Sequence, residues 1–463
     1  MARNENDVRV LIAGAGIAGL AAAISLTRQT SLANLTVSLY EQADELTEIG
    51  ASIALSPNGM RTLERLGVHN ALSDAVGFRS PSGIPQIFRH WKTNQVHSVD
   101  THNDVPDPRH ATTRFHRGHL HTALLEHVPR ESIYLGKKTV RAEADHQGVS
   151  LYFDDGTSAH GDILIGADGL RSVGSTGHWA VILRSQSNRV GQMQIVRQSF
   201  IPQYKLRFSG KVFMRSTFDA SLVEGKVADL PADSIHWWGP KDNFFASRLG
   251  KQQYTTVGAY SDPRTTEEIE KSVSWNDEGH VEFLRERYKD WNPVVKALTE
   301  LTPYTKLYPN FIGDSLSSWV LAPRVTLIGD AAHAHGGAFA AGGSLALDDA
   351  LTLGLAFAHA LDGLDAEQSI PESSIQLALE LYSRARQPHT ERLLRIVHGQ
   401  ASEGQLENGD NEEDEEQRLL RRLRNRVSTV WLAEHDAETA FAATVAKVGE
   451  EKIAEKQSRG VKL

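Results

Sequence analysis

The stretch "VRVLIAGAGIAGLAAAISL" (residues 8–26) constrains the fold of this chain more than any other feature. An apolar run of strand length leads into a turn containing Gly14, Gly16 and Gly19, and a segment of helical composition follows. A continuous apolar strand is typical of a parallel sheet covered on both faces. The next apolar run ends in Glu41. We therefore predict a doubly wound α/β unit with parallel strands.

The three glycines fit the pattern G-x-G-x-x-G at a strand-to-helix junction. In this pattern the first glycine permits a tight turn, the second lets backbone approach a pyrophosphate, and the third packs the helix against the strand. The N-terminus of the helix adds free N–H groups and a positive dipole end. Glu41, 22 residues after Gly19, is placed to accept hydrogen bonds from a ribose diol. The turn predicts a dinucleotide, and these residues alone leave NAD and FAD open.

Two later segments also end a buried strand with an acid among small residues. They are "GDILIGADGLRS" (161–172), which contains Asp168, and "VTLIGDAAHAHGGAFAAGGSLALDDA" (325–350), which contains Asp330. Small residues let a ligand approach the backbone closely, and a carboxylate can accept hydrogen bonds from ligand hydroxyls. Together with the glycine turn, the two segments favour one extended nucleotide ligand.

Composition narrows the class of protein. The net charge of -9 argues against an extended phosphate-binding surface, so we expect no nucleic-acid partner. The sequence has no cysteine, which excludes disulfides, thiolate metal sites and thiol nucleophiles. We find neither a signal peptide nor an uncharged apolar stretch long enough to span a membrane. We therefore expect a cytoplasmic monomer or homodimer without stable membrane insertion.

Over nearly its whole length, the sequence resembles the FAD-dependent aromatic hydroxylases of the para-hydroxybenzoate hydroxylase type. The likeness is nearest to salicylate hydroxylase-like monooxygenases of fungal character. The segments that carry it are "GAGIAG" with Glu41, "EIGASIALSPNGMRTLERLGV" (48–68), "RFHRGHLHTALL" (114–125), "GADGLRS", "LIGDAAH" and "WLAEHDAETAF" (431–441).

The resemblance implies bound FAD, NADPH or NADH as co-substrate, and dioxygen as oxidant. It also implies hydroxylation of a phenolic or hydroxybenzoate-like aromatic through a flavin hydroperoxide. Arg117 would lie over the phosphate and ribityl region, with Arg114 as the competing candidate. Asp168 would serve both FAD and the reduced nicotinamide, and Asp330 would bind the ribityl chain. The cofactor-binding residues expected on this basis are Gly14, Gly16, Gly19, Glu41, Arg117, Asp168, Asp330, Ala331, Gly342 and Gly343.

The resemblance also implies an α/β fold. It combines a Rossmann-like FAD-binding domain, a mostly antiparallel β-sheet substrate domain and a C-terminal helical region. We predict a discontinuous FAD-binding domain (1–76, 106–172 and 317–400), a substrate domain (77–105 and 195–316), and an acidic linker with a helical tail (401–463). Residues 174–194 interrupt the family pattern and are interpreted as an inserted loop.

The segment after Asp330 departs from the family pattern. Ala334 and Gly337 stand where family members commonly have prolines that line the oxygen-reaction pocket. Ser344 stands where an asparagine usually contacts the flavin.

The aromatic and basic residues of the antiparallel sheet are the candidates for contacting substrate. His236 is the candidate catalytic residue because an unperturbed histidine, with a pKa near ~6.5, could assist phenol deprotonation. A buried structural histidine is the competing interpretation. The other predicted substrate-binding residues are Phe213, Arg215, Trp238, Phe245 and Arg248. We predict no metal site at His333 and His335, since their spacing and the nearby acids suit flavin binding better.

Two other functions stay open. One is a flavin-dependent oxidoreductase without oxygen insertion, which the altered segment 334–344 would favour. The other is an FAD-binding protein impaired by the insertion at 174–194. A plain NAD dehydrogenase would leave "GADG" and "GDAAH" unexplained.

Overall fold

A computed structural model gives the fold. The described residues are 8–30, 35–46, 51–102, 105–170, 194–273, 276–364, 370–406 and 414–460. Of the predicted insertion 174–194, only Gln194 falls within them.

Strands and helices alternate in the first part of the chain, and helices dominate the last. The strands are β1 (Val8–Ala13), β2 (Leu35–Tyr40), β3 (Ser52–Leu55), β4 (Phe78–Arg79), β5 (Ile87–His90), β6 (Val96–Val99), β7 (Thr113–His116), β8 (Ile133–Tyr134), β9 (Thr139–Ala144), β10 (Val149–Phe153), β11 (Ser158–Gly161), β12 (Ile163–Gly166), β13 (Arg207–Asp219), β14 (Ile235–Trp238), β15 (Asn243–Leu249), β16 (Gln253–Ser261), β17 (Asp277–Gly279), β18 (Thr305–Ile312), β19 (Val320–Ala322) and β20 (Val325–Leu327). The helices are α1 (Ile17–Gln29), α2 (Pro57–Arg65), α3 (Arg117–Leu125), α4 (Ile195–Phe200), α5 (Thr266–Ser272), α6 (Val281–Tyr288), α7 (Pro293–Leu301), α8 (Gly342–Ala360), α9 (Glu372–Leu406), α10 (Glu415–Arg424), α11 (Val430–Ala433) and α12 (Ala437–Gly460).

The first large sheet has the strand order β19–β20–β12–β1–β2–β8. All its neighbouring strands are parallel except β19 and β20. Helices α1 and α8 pack against one another beside this sheet so closely that a Cβ on Gly354 would lie 2.2 Å from Ser25 Oγ. The strands are parallel, so the carboxyl ends of β20, β12, β1 and β2 meet at one edge.

The second large sheet has the order β17–β18–β13–β16–β15–β14–β5–β6. It is antiparallel except for the pairing of β14 with β5. Strands β5 and β6 precede the other members by more than a hundred residues, so two separate parts of the chain build this sheet. Two small antiparallel sheets, β11–β10–β9 and β3–β7–β4, complete the strand architecture of the described residues.

The two faces of the second sheet differ in what covers them. Met214, Trp237 and Phe244 are buried on one face, in a core that includes Tyr288 of α6 and Val295 of α7. Because side chains alternate along a strand, the neighbours of these residues point to the other face, which borders a large cavity.

The C-terminal helices contact both parts of the molecule. Leu419 and Leu423 of α10 are buried against Phe88 and Trp238 of the second sheet. None of the described helices combines the length and hydropathy needed to cross a lipid bilayer. The predicted mixed α/β fold, with a Rossmann-like sheet, a mostly antiparallel sheet and C-terminal helices, is confirmed, while the domain boundaries stay a prediction.

Candidate functional site

The glycine turn between β1 and α1 is shaped by backbone contacts that a side chain would block. Gly14 has φ +106° and donates its N–H to the Tyr40 carbonyl at 2.8 Å. A Cβ on Gly14 would lie 2.6 Å from the Ala167 carbonyl oxygen, and one on Gly19 would lie 2.0 Å from the Gly14 oxygen. Gly16 is the N-cap of α1. The turn is a backbone cradle at a helix N-terminus, which suits a phosphate group.

The two candidate arginines lie in different places. A terminal nitrogen of Arg117 lies 3.8 Å from where a Cβ on Gly16 would be, so its guanidinium is beside the glycine turn. Arg114 instead points toward the second sheet, where it donates to Ser234 Oγ at 2.5 Å and to the Pro85 carbonyl at 2.9 Å. The geometry favours Arg117 over Arg114 as the residue near a phosphate.

Glu41 follows β2 and touches the same turn. Its Oε2 accepts the Ala15 N–H at 2.9 Å, and its Oε1 accepts the Ala43 N–H at 3.0 Å. Its carboxylate is therefore fixed against the start of α1, next to the phosphate cradle.

Asp168 follows β12 on the opposite side of the turn. Its Cα would lie 3.3 Å from a Cβ on Gly14. Its Oδ2 accepts the Val196 N–H at 3.1 Å, whereas its Oδ1 is buried without a hydrogen-bond partner among the described residues. Burial raises the pKa of Asp168 to about 6. A buried acceptor of this kind is costly unless a donor reaches it, and a ligand hydroxyl would be such a donor.

Asp330 follows β20 in the chain and lies in space beside the first residues of α8. Its Oδ1 lies 3.7 Å from where a Cβ on Gly342 would be. A Cβ on Gly343 would lie 2.8 Å from Leu55 Cδ2, so this glycine lets α8 begin close to β3. The strand order brings Glu41, Asp168 and Asp330 to one sheet edge, around the glycine turn.

Arg197 is a site residue that the sequence analysis missed. It is 1% exposed, and its Nη1 donates to the Ala331 carbonyl at 2.8 Å. Burial lowers its pKa, and the charges of Tyr204, Asp168 and Asp330 oppose that shift. In the sequence, only its position after the "GADG" motif could have suggested a role at the site. Its burial near Asp168 and Asp330 depends on the three-dimensional fold.

Behind this edge lies a buried ionic network centred on Asp349. Its Oδ1 accepts from Arg386 Nε at 2.8 Å, and its Oδ2 accepts from the Gly329 N–H at 2.9 Å and pairs with His333 Nε2 at 2.7 Å. Arg386 also contacts His435 Nε2 at 2.8 Å. Burial alone would raise the pKa of Asp349, but His333 and Arg386 hold it at about 2.

The same region contains a geometry compatible with a cation. Ligand atoms of Asp330, His333 and His335 lie within 4.8 Å of one another. His333, however, is already bonded to Asp349, and burial lowers the pKa of His335 to about 4. The absence of a metal stays a prediction.

The loop after Asp330, where the sequence resemblance leads us to expect prolines at 334 and 337, contains several residues with positive φ angles. Gly336 and Gly337 have φ near +67° and +68°, and Phe339 and Ala340 also have positive φ. Proline fixes φ near −65°, so a proline at Gly337 is incompatible with this conformation. Ser344 accepts the Ser56 N–H at 2.9 Å and therefore serves packing between α8 and the start of α2.

A cavity of about 1770 Å³ separates this edge from the second sheet. Most predicted substrate-binding residues line it. They are Phe213, Arg215, His236, Trp238 and Phe245, and they share the lining with Ile53, Gly336 and Gly337. Arg248 is not in the lining, because its guanidinium pairs with Glu224. Phe245 and Arg248 are three residues apart on one strand and therefore point to opposite faces.

His236 lies within the cavity as a neutral ring. Its Nδ1 contacts Gln86 Nε2 at 2.8 Å. Burial lowers its pKa to about 3, and the charges of Arg426, Arg114 and Lys211 act in the same direction. A ring of such low basicity is a poor acceptor for a phenol proton, so the geometry favours hydrogen bonding over general-base catalysis.

Comparison with known proteins gives one consistent picture. The family model described as "FAD binding domain" matches residues 7–277 and 315–396. The chain is 26% identical over 398 residues to 6-hydroxynicotinate 3-monooxygenase of Pseudomonas fluorescens, covering 84% of this chain and 90% of that protein. It is 27% identical over 465 residues to salicylate hydroxylase of Pseudomonas putida, covering 97% of each. A solved salicylate hydroxylase substrate complex has the same fold, with TM-score 0.70, 21% identity and coverage of 95% and 98%. The fungal character of the likeness stays a prediction.

Proposed function

Since this chain belongs to the FAD-binding domain family, we propose that it is an FAD- and NAD(P)H-dependent monooxygenase acting on a phenolic or hydroxybenzoate-like aromatic. One observation carries the proposal. The glycine turn and the three acids Glu41, Asp168 and Asp330 meet at one sheet edge, and that edge adjoins a cavity lined by aromatic and cationic side chains. The names of the relatives support the same reaction class.

The residues around the turn fit the parts of FAD. The Gly14 cradle and the N-terminus of α1 would hold the pyrophosphate, and Arg117 beside Gly16 would add a guanidinium. Glu41 would bind the adenosine ribose, and Asp330 the ribityl chain. The unpartnered Oδ1 of Asp168 would accept a hydrogen bond from a ligand hydroxyl. When bound, FAD supplies hydride acceptance from a reduced nicotinamide and activation of dioxygen.

The cavity residues would bind the ring and favour its ionised form. Phe213, Trp238 and Phe245 offer aromatic surface to a substrate ring. The positive charges of Arg114 and Arg215 would lower the pKa of a bound phenol, because nearby cations favour the anion. A neutral His236 would donate a hydrogen bond to that oxygen rather than remove its proton.

The alternative is an oxidoreductase that transfers electrons without oxygen insertion. The observation that favours it is the backbone at Gly337, whose positive φ excludes the proline that the sequence resemblance leads us to expect there. A third possibility, impairment by the segment 174–194, depends on residues outside those described.

The deciding experiment follows the oxygen atom. Purified FAD-loaded protein is given NADH or NADPH and a panel of hydroxybenzoates under ¹⁸O₂, and products are analysed by mass. We expect substrate-dependent nicotinamide oxidation and a product that gains one labelled oxygen. Nicotinamide oxidation that yields only hydrogen peroxide would favour the alternative, and protein that retains no FAD would overturn both. Unlabelled dioxygen in H₂¹⁸O is the matched control.

We further propose that the enzyme works in the cytoplasm as a monomer or homodimer. Light scattering on the FAD-loaded protein would measure the oligomeric state, and a larger assembly would contradict this part of the proposal.

A further inference from the structure

The cavity face of β13 carries two cations on either side of an aromatic ring. Lys211, Phe213 and Arg215 all line the cavity, whereas Val212 and Met214 between them are buried. Side chains on a strand alternate between faces, so the three residues form one row. Lys211 and Arg215 are four residues apart, which places their Cα atoms ~13 Å from each other.

Among the described residues, no carboxylate contacts either cation. Arg215 has a buried Nε without a hydrogen-bond partner among the described residues, and its guanidinium lies over the rings of Phe213 and Tyr308 at 5.5 and 5.3 Å. Burial lowers its pKa. Lys211 makes no ion pair with any described residue. The Lys211 side chain is exposed.

The acidic side chains of the cavity wall form ion pairs with cations other than Lys211 and Arg215. Three carboxylates line the cavity among the described residues, and each is bonded to a different cation. The pairs are Asp100 with Arg426 at 2.6 Å, Asp262 with Arg264 at 2.6 Å, and Glu415 with Lys241 at 3.2 Å. The positive charge of the β13 row is therefore not neutralised by the wall around it.

The β13 row runs from an exposed residue to less exposed ones. Lys211 is exposed, whereas Phe213 and Arg215 are half-buried. An acidic group held at Arg215 would leave Lys211, at the exposed end of the row, available to a second acidic group.

We infer that the preferred substrate is an elongated aromatic diacid, with one acidic group at Arg215, an aromatic ring beside Phe213 and a second acidic group at Lys211. This inference rests on the proposed function, because it names the substrate class of the same cavity. Lys211 is then a specificity residue that distinguishes diacids from single-ring monoacids.

The test uses two ligands that differ only in the distal acid. 5-Phenylsalicylate and 5-(4-carboxyphenyl)salicylate are titrated into the oxidised FAD-loaded protein by isothermal calorimetry. We expect the diacid to bind about fivefold more tightly, because a salt bridge at an exposed lysine adds only modestly to affinity. An affinity ratio below twofold in the unmodified protein overturns the inference without any variant.

Variants then locate the effect. Lys211→Met should remove the advantage of the diacid and change the affinity of the monoacid by less than twofold. Lys241→Met makes the same charge change elsewhere on the cavity wall and should preserve the advantage. Equal weakening of both ligands by Lys211→Met overturns the inference.

The two proposals can fail separately. If monoacids become labelled with ¹⁸O but the diacid binds no better, the monooxygenase proposal stands and the diacid inference fails. If the diacid binds tightly through Lys211 but no ligand gains oxygen, the reverse holds.

Discussion

Charged side chains are paired differently in the two halves of the molecule. Around Asp349, behind the first sheet, each charge meets an opposite charge or a hydrogen-bonding partner, and Arg386 and Asp349 are both inaccessible to solvent. On β13, at the cavity, Lys211 and Arg215 have no carboxylate partner among the described residues. In the first arrangement Arg386 and Asp349 neutralise each other without a ligand, and the network holds α8, α9 and the segment at His435 together. The second arrangement gains its counter-charge when an anion binds.

The largest effect should come from breaking the network around Asp349. Arg386→Met leaves the buried Asp349 carboxylate with only His333 and the Gly329 N–H as partners, and we expect a loss of about 3–5 kcal/mol in the free energy of unfolding. Arg384→Met, two residues away on α9, removes solvent-accessible pairs with Glu380 and Glu451 and should cost less than about 1 kcal/mol. Urea unfolding measures both. Equal losses in the free energy of unfolding would show that the network around Asp349 stabilises the fold no more than a surface ion pair does.

Asp168, also in the first half, differs from Asp349 because its buried Oδ1 has no partner among the described residues. Its pKa is raised to about 6, so ionisation disfavours the flavin-free fold. The associated stability is present below pH ~4 and is lost as the pH rises through about 6. Asp168→Asn should remove this loss and raise the free energy of unfolding of flavin-free protein by about 2 kcal/mol at pH 8.

The control for Asp168 is Asp155, an exposed acid whose pKa is lowered to about 2 by hydrogen bonds from Lys137 and Thr157. Asp155→Asn should change stability in the opposite direction. Urea unfolding at pH 4 and pH 8 gives both signs. A stability gain for Asp168→Asn that does not depend on pH would rule out the carboxylate charge as its cause.

Arg215→Met applies the substitution used at Arg386 to an uncompensated cation. We expect the ligand-free protein to gain stability, by up to about 1 kcal/mol, since loss of the contacts with Phe213 and Tyr308 offsets part of the relief of desolvation. The changes in unfolding free energy that Arg215→Met and Arg386→Met cause, relative to the unmodified protein, should therefore have opposite signs. A loss at Arg215 comparable to that at Arg386 would remove the distinction between the two halves.

The smallest effect is expected at Arg248. Its guanidinium pairs with Glu224 outside the cavity lining, so Arg248→Met should leave the affinity for 5-phenylsalicylate within twofold of the original. Calorimetry on the FAD-loaded protein tests this, with Arg215→Met as the variant that should lose affinity. A tenfold loss at Arg248 would restore it as a substrate-binding residue.

Local patterns made much of the first half predictable. A strand, a glycine turn and a helix are contiguous in sequence. The acids Glu41, Asp168 and Asp330 each lie within three residues of the end of a strand. Parallel strands then bring their ends to one edge. The ion pair of Asp349 with Arg386 joins residues 37 positions apart, and its burial depends on how α8 packs on α9, so no local pattern indicates it.

The residues that line the cavity can be predicted from the alternation of side chains along a strand, which we call strand parity. Parity groups Lys211 with Phe213 and Arg215, yet the sequence analysis named only the last two. Parity also separates Arg248 from Phe245, although both were predicted to contact substrate. The low basicity of His236 depends on burial and on cations from other elements, which a single sequence does not reveal.

The placement of α10 has a consequence for how the protein is made. Every described strand precedes α10 in the chain, so both sheets leave the ribosome before the helix that covers Phe88 and Trp238. Until then the nascent chain presents those two rings to water and to other proteins. Aggregation during synthesis should therefore depend strongly on how quickly Leu419 and Leu423 dock after translation passes them.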